Sequence, residues 1–375
     1  MRIGINATSL SARPSGARQR FEGVYGALFR ANPENEYLIY EPRDCKVAAW
    51  FPDCPNVRGV PTTMSSAGRW SRLLGGLTHL RRRLAADRLD LFEALHLPVT
   101  RSPSCPTVTT IHDIRGGGDQ APPLQRQFYR RMLRHALRSS HVITVSNSMK
   151  RSLLAVEPAA HITTIYNGID PERFAAGPGE AFLMTGDFLL AVGHFELRKN
   201  YDMLVRAMAL LAVDVDVPRL VIVGKDGGSL NTTQALIASL GLAGKVDLLL
   251  DVDDARLAAL YRAARLLVFP STYEGFGIPV LEAMASQLPM ALSDLPVFRE
   301  LTEDRADYFD PADPAAMARS IKALLTSPQR QVEQLAYGHA RIAQFEFHAL
   351  AAQLDALHRE TVSVAVPRVV EHDRC

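Results

Sequence analysis

The sequence is poor in cysteine, nearly neutral and without a long apolar run, and each shortage excludes a class of protein. Its four cysteines, Cys45, Cys54, Cys105 and Cys375, stand apart with no Cys-x-x-Cys pair. Such spacing supports neither a disulfide framework nor a zinc site, and it suits a reducing compartment. A formal net charge of +2 gives no whole-molecule field that would draw the chain to nucleic acid. No stretch of eighteen or more apolar residues is present to span a membrane as a helix. The opening Met1-Arg2-Ile3-Gly4-Ile5-Asn6 enters a strand pattern at once, with no apolar signal region, so a cytoplasmic location is expected. Two nucleotide fingerprints are missing as well. No Gly-x-Gly-x-x-Gly follows the first strand pattern of either half, which counts against a nicotinamide dehydrogenase. Val223-Gly224-Lys225 is not a Walker loop, because position 219 is Arg where that motif needs Gly.

What remains is an ordinary globular composition, 47% hydrophobic and 22% charged, in 375 residues. That length exceeds what one core usually serves, so two domains are expected. Short β-branched runs alternate with helical periodicity throughout, the pattern of parallel sheets built from βαβ units. In the first half the strand patterns fall at 2–7, 36–40, 89–94, 107–112, 141–146 and 162–166, with helical stretches at 16–31, 69–86, 123–139 and 147–155. Residues 170–180 break every periodicity and read as a linker. A second series follows, with strands at 188–193, 219–224, 246–250, 266–270 and 289–293, and helices at 201–211, 231–240, 254–264, 279–285 and 314–326. The expected architecture is α/β: two doubly wound, Rossmann-like domains, 1–172 and 173–348, facing across a cleft. The segment 349–375 supplies a last helix, at about 350–360, that packs back on the first domain, and a tail. Ligands in such sheets bind beyond the carboxyl ends of the strands.

The densest chemical signal is Phe269-Pro-Ser-Thr-Tyr-Glu274-Gly275-Phe276-Gly277-Ile-Pro279-Val-Leu-Glu282-Ala-Met-Ala. A strand gives way to a glycine loop and then to a helix start, where free backbone N–H groups bind anions such as phosphate. Glu274 is expected in the loop and Glu282 in the first helical turn, and carboxylates accept charge-assisted hydrogen bonds from sugar hydroxyls. A Glu at a helix start can equally serve only the helix dipole. A second cluster, Val192-Gly193-His194-Phe-Glu-Leu-Arg198-Lys199-Asn200, puts two adjacent cations at a strand-to-helix junction. Fixed cations there would stabilise the charge that builds on a departing diphosphate.

The first of these stretches resembles the Glu-x7-Glu motif of retaining glycosyltransferase family 4, whose members have the GT-B fold, and the second resembles that family's Arg-Lys motif. The resemblance covers most of the chain and is nearest to the bacterial mannosyltransferase-like branch that builds lipopolysaccharide and exopolysaccharide. It implies that Arg198 and Lys199 hold the donor diphosphate, that Glu274 orients the donor sugar and that Glu282 holds the ribose. Backbone amides around Gly275, Phe276 and Gly277 would bind phosphate or sugar oxygens. Pro14-Ser15-Gly16-Ala17-Arg18 is similar to the family's glycine loop, and Thr110-Ile111-His112-Asp113 to its His-Asp motif, with His112 lining the sugar pocket. Lys225 is expected near the nucleotide. The resemblance implies hexosyl transfer with retention and no metal or other cofactor. GDP-mannose is the first donor expected, with UDP-glucose and dTDP-rhamnose open. The acceptor would be a glycan, free or carried on a polyprenyl lipid. A nucleotide-sugar epimerase on the same fold and a non-catalytic sugar-binding protein are the alternatives.

Three further features bear on this reading. Asp251-Val252-Asp253 spells the metal signature of another glycosyltransferase fold, but it precedes a helical pattern that Asp253 or Asp254 would cap. Arg126, Arg130, Arg131, Arg134 and Arg138 form a basic stripe on a helical pattern with Phe128 and Tyr129, and Arg81-Arg82-Arg83 ends an earlier helix. Such surfaces are either simply solvated or in peripheral contact with anionic membrane lipid. Two departures from the family stand out. Gln287 follows the second Glu helix where relatives carry Gly, so that turn is expected to take another shape. Residues 115–119 after the His-Asp motif are glycine-rich, which suggests a mobile lid or a disordered loop.

Overall fold

The structure, a computed structural model, describes residues 1–13, 15–114, 122–175, 187–212 and 217–365. The glycine-rich stretch 115–119 and residues 176–180 of the expected linker lie outside these. The chain divides into two compact units, Met1–Gly168 joined by the chain from Phe347 onward, and Ile169–Glu346.

The first unit is a seven-stranded sheet in the order β3-β2-β1-β4-β5-β6-β7. Its strands are β1 (Arg2–Asn6), β2 (Glu36–Glu41), β3 (Val57–Pro61), β4 (Leu91–Ala94), β5 (Thr107–Ile111), β6 (His141–Thr144) and β7 (Ile162–Thr164). The second has six strands in the order β10-β9-β8-β11-β12-β13: β8 (Phe188–Val192), β9 (Arg219–Val223), β10 (Val246–Leu249), β11 (Leu266–Phe269), β12 (Met290–Ser293) and β13 (Asp307–Phe309). Neighbouring strands pair in parallel in both sheets, for example Arg2↔Glu36 through Asn6↔Tyr40 and Phe188↔Arg219 through Val192↔Val223. Helices cover both faces of such a sheet, so its central strands are apolar throughout. Phe188–Val192 and Leu266–Phe269 accordingly are buried along their whole length. Strand order reverses at β1/β4 in the first sheet and at β8/β11 in the second, and in each sheet taken by itself the carboxyl ends at such a switch point are where doubly wound folds take ligands.

Strands β3 and β13 were not expected. The first is a half-exposed edge strand and the second has three residues, so neither shows an apolar run. Helices Pro296–Thr302 and Pro328–Arg341 are likewise additional. The helical stretches at 16–31 and 69–86 each contain a π-helical turn, Phe21–Tyr25 and Gly76–Leu80.

The last helix, Phe347–Ala365, is longer than the 350–360 expected, and its Leu350, Leu354 and Leu357 belong to the apolar core of the first unit. Phe347 lies so close to Gly23 that a Cβ there would stand 2.3 Å from its ring. A polar tie adds to this packing. Glu93, wholly buried on β4, accepts from Tyr25 Oη, from Thr110 Oγ1 at 2.9 Å and from His358 Nε2 of the last helix at 2.9 Å. Burial alone would raise the Glu93 carboxyl, but the hydrogen bonds it accepts from His358, Tyr25 and Thr110 hold the group below its ordinary value. The boundaries fall at Gly168/Ile169 and Glu346/Phe347, because Ile169 N donates to Phe345 O at 2.9 Å inside the second unit.

The expectation for Gln287 is corrected. Its φ is +51°, and Leu288 N→Ala283 O at 2.9 Å with Gln287 N→Met284 O at 3.2 Å closes the usual left-handed helix end. Burial of Leu288 (3% exposed) pins the turn, at a local cost of roughly 1–2 kcal/mol for a side chain in that conformation.

Candidate active site

Strand β8 ends at Val192 and β11 at Phe269, the pair at which the order of the second sheet reverses. The two loops that leave them carry Arg198, Lys199 and Glu274. After β8 the chain turns at Gly193 (φ +146°) and passes through the 3-10 turn Leu197–Lys199, and Asn200 (φ +59°) then starts helix Tyr201–Leu211. A Cβ on Gly193 would stand 2.7 Å from Lys199 Cε, so the bare backbone makes room for the lysine stem. Asn200 holds its left-handed position by donating to Pro270 O at 3.1 Å and Pro311 O at 2.8 Å. Thr272 N donates to Arg198 O at 2.8 Å and ties the two loops together.

The charged groups meet at one oxygen. Glu274 Oε1 accepts from Arg198 Nη1 at 2.6 Å, from Lys199 Nζ at 2.7 Å and from buried Ser271 Oγ at 2.9 Å. Arg198 Nε donates in turn to Glu196 Oε2 at 2.7 Å. Lys199, 6% exposed, holds its ammonium 4.6 Å from the ring centre of Phe269, a cation–π contact. Two cations are therefore matched by two carboxylates. Burial alone would raise the Glu274 carboxyl, but Lys199 and Arg198 outweigh it and hold the group below the ordinary carboxylate range. Arginine has five N–H donors and lysine three, so this pairing leaves donors on both for an anion. Glu274 Oε2 has no partner among the described residues and remains an acceptor for a hydroxyl.

Glu282 sits elsewhere than expected. Helix Ile278–Ala285 starts after Gly277 (φ +119°), with no acidic residue in its first turn, so Glu282 belongs to the second turn. It is 6% exposed and accepts from Tyr261 Oη at 2.7 Å, which removes the helix-dipole explanation. Burial pushes its carboxyl above the ordinary value. Gly277 has no room for a side chain, since a Cβ would stand 2.8 Å from Phe298 Cε1. The ring of Phe276 is buried against Phe345, at 6.3 Å between centroids. Lys225, half-exposed after β9, pairs with Asp251 at 3.5 Å. Gly224 lies tight against the Gly193 turn, and a Cβ on it would stand 2.0 Å from Gly193 O. Asp253 caps helix Asp254–Ala263 by accepting from Arg256 N at 2.8 Å, and Asp254 pairs with Arg173 at 2.9 Å.

Gly16 and His112 belong to the first unit. Ser15 caps helix Gly16–Arg20, accepting from Arg18 N at 3.2 Å, and Gly16 is its exposed first residue. His112 is half-buried just beyond β5 and borders a cavity of about 10 Å³ with Leu10, Ala17, Arg20 and Leu95, room for one water. Burial and then the Arg20 guanidinium lower its pKa to about 4, so the imidazole is neutral at pH 7. His96, beyond β4, is lowered to about 3 by burial and by Arg72 and His112. Sequence reasoning did not single out His96, Glu196, Ser271 or Tyr261. Ser271 and Glu196 lie inside the two motifs, whereas Tyr261 reaches Glu282 from a different helix.

Two family models match the chain: "Glycosyltransferase Family 4" over residues 32–173 and "Glycosyl transferases group 1" over residues 179–340. The O-antigen chain mannosyltransferase RfbU of Salmonella typhimurium is 32% identical over 222 residues, 58% of this chain and 61% of that protein. The O-antigen chain mannosyltransferase B of Escherichia coli is 29% identical over 66% of this chain and 68% of its own length. The match thus spans about three fifths to two thirds of these relatives. Among solved structures, sucrose-phosphate synthase from Thermosynechococcus elongatus superposes with a TM-score of 0.77 at 19% identity, covering 97% of this chain and 100% of that one. Alr3699/HepE of Anabaena, in complex with UDP-glucose, gives 0.73 at 21% over 97% and 100%. The fold is GT-B, built from two doubly wound units.

Proposed function

The chain belongs to glycosyltransferase family 4, and from that premise we propose that it transfers a hexose, with retention, from a nucleotide-diphosphate donor to a glycan or lipid-linked glycan. The observation that carries the reading is the convergence of Arg198, Lys199 and Ser271 on one oxygen of Glu274 at the β8/β11 switch point. The carboxylate fixes both cations before the donor arrives, and pre-set positive charge stabilises the diphosphate as it leaves. Glu274 Oε2 accepts a hydroxyl of the donor sugar, and Glu282 accepts from the ribose. The cations occupy the role a divalent ion has in metal-dependent transfer, so no metal is required. Mannose from GDP-mannose is the favoured donor, because the relatives named above are mannosyltransferases of O-antigen chains. Lipopolysaccharide or exopolysaccharide assembly follows as the setting.

A panel of GDP-mannose, UDP-glucose and dTDP-rhamnose, assayed with EDTA and with pooled lipid-linked acceptors, tests this. Acceptor-dependent transfer from one donor is expected. Acceptor-free isomerisation would indicate an epimerase, and donor binding without turnover a sugar-binding protein.

We also propose that the first unit touches anionic membrane lipid. Among the described residues no helix is long and apolar enough to cross a membrane. Helix Pro123–Leu137 instead presents Leu124 (79% exposed) and Phe128 (50%) beside exposed Arg130, Arg131 and Arg134. Arg81 and Arg82 line an open groove of about 360 Å³. Exposed apolar and basic groups on the one helix Pro123–Leu137 suit an anionic lipid interface, each cation contributing about 1 kcal/mol. In flotation with phosphatidylglycerol vesicles the wild type is expected to rise with the lipid, and a variant with Arg130, Arg131 and Arg134 changed to Gln to stay below. Equal flotation of both contradicts the contact.

A further inference from the structure

The Arg198 guanidinium is gripped at two of its nitrogens, by a different carboxylate at each. Nη1 donates to Glu274 Oε1 at 2.6 Å, and Nε donates to Glu196 Oε2 at 2.7 Å. As a support for the fold the Glu196 pair counts for little. Both side chains reach solvent, Arg198 at 22% and Glu196 at 32%, and ion pairs so exposed add little to stability. Geometry gives the pair another use. A guanidinium held at one nitrogen can swing about that contact, whereas one held at Nε and at Nη1 has its plane fixed. Two of its five N–H groups are then taken, and the three on Nη1 and Nη2 that remain lie in a set plane.

The loop after β9 makes room for this glutamate. Gly227 lacks the positive φ that ordinarily calls for glycine, so its backbone conformation does not explain it. Space does: a Cβ there would stand 2.6 Å from Glu196 Cγ and 3.1 Å from Phe195 O. The chain on either side is laced to the loop after β8. Phe195 N donates to Lys225 O at 2.8 Å, and Phe195 O accepts from Gly227 N at 3.2 Å and from Ser229 N at 2.9 Å. The stem of Glu196 thus runs against a bare stretch of backbone that is itself held in place.

We propose that Glu196 is a positioning residue for transfer: seated against Gly227, it fixes the plane of Arg198 so that this cation meets the charge developing on the leaving diphosphate. This rests on the reading that Arg198 binds the diphosphate. Orientation matters most in the transition state, because even a poorly aimed cation attracts the charge already present on a bound donor. Glu196 is also a negative charge beside the anion site, which opposes binding of a nucleoside diphosphate. Loss of its side chain therefore slows the chemistry without weakening that binding.

The test measures kcat with the donor that the panel selects, calorimetric affinity for the matching nucleoside diphosphate, GDP or UDP, and the melting temperature. The variants are Glu196→Ala, Glu196→Gln, Gly227→Ala and the double variant Glu196→Ala with Gly227→Ala, with Arg198→Ala as control. Glu196→Ala is expected to melt as the wild type does and to lower kcat ~10–100-fold, less than loss of the Arg198 side chain itself. Its affinity for the diphosphate is expected to equal or exceed that of the wild type. Glu196→Gln still accepts from Nε through its amide oxygen and is expected to keep kcat within about 3-fold. Gly227→Ala is expected to lower kcat at least ~3-fold alone, and hardly at all once Glu196 is already alanine, because the two sites are coupled.

A kcat for Glu196→Ala within about 3-fold of the wild type overturns the proposal. Glu196→Gln as slow as Glu196→Ala overturns it too, since charge and not placement would then be the cause. Weaker diphosphate binding by Glu196→Ala does the same, and equal losses from Gly227→Ala in both backgrounds contradict the seat. If Arg198→Ala leaves kcat and affinity unchanged, the diphosphate reading has failed. If Arg198→Ala lowers kcat and Glu196→Ala does not, only the positioning role of Glu196 has failed.

Discussion

Replacing Arg198 with alanine is expected to lower kcat for hexosyl transfer by roughly 10²–10³-fold, about 2.7–4 kcal/mol, with the protein still folded. The fold survives because Lys199 Nζ and Ser271 Oγ remain on Glu274 Oε1 at 2.7 and 2.9 Å. The rate falls because the leaving diphosphate has lost one of its two fixed cations. Glu274→Ala should behave differently. It removes the anion shared by Arg198 and by Lys199, which is 6% exposed, and an uncompensated buried cation costs on the order of 3–5 kcal/mol. That variant should therefore lose both transfer and stability, and saturating GDP should restore part of the melting temperature by supplying a replacement anion. Steady-state kinetics and thermal melts with and without GDP separate the two outcomes. A Glu274→Ala protein as stable as the wild type would contradict the charge pairing.

The second large effect concerns the first unit. Glu93→Ala leaves three buried donors on Tyr25, Thr110 and His358 without their acceptor. The buried Arg20 guanidinium loses a nearby counter-charge in the same step, since burial lowers its pKa while Tyr25 and Glu93 oppose that shift. The expected loss is about 3–5 kcal/mol in equilibrium denaturation. The same variant should expose helix Phe347–Ala365 to proteolysis, because His358 ties that helix to Glu93 and its leucines complete the core. Glu93→Gln, which still accepts hydrogen bonds, should lose less.

Much of this arrangement was legible because the chemistry lies at strand ends. A strand ending in Phe269, a glycine loop and a helix start are contiguous in the chain, as are Gly193 and Lys199, and local periodicity locates both. The β8/β11 neighbourhood follows from the order of βαβ units. The contacts that finish the site were not legible in the same way. Tyr261 and Glu282 are 21 residues apart and His358 and Glu93 are 265 apart, distances over which periodicity carries no information. The depth of Glu282 in its helix depended on Gly277 ending the loop one residue before Ile278, a backbone detail that residue spacing does not encode. Strand β13 was missed because its three residues carry no alternation. Gln287 was misjudged because a buried neighbour, Leu288, outweighs the propensity of an exposed residue at a helix end.

The central claim is that Arg198 and Lys199, held in place by Glu274, bind the donor diphosphate without a metal. Calorimetric titration of GDP in EDTA, on wild type and on Arg198→Ala and Lys199→Ala, tests it most directly. Binding that persists in EDTA for the wild type and weakens at least ~10-fold in each variant is the predicted result, the size of one charge-assisted contact. Binding that requires a divalent ion, or that is unchanged in both variants, would contradict the account.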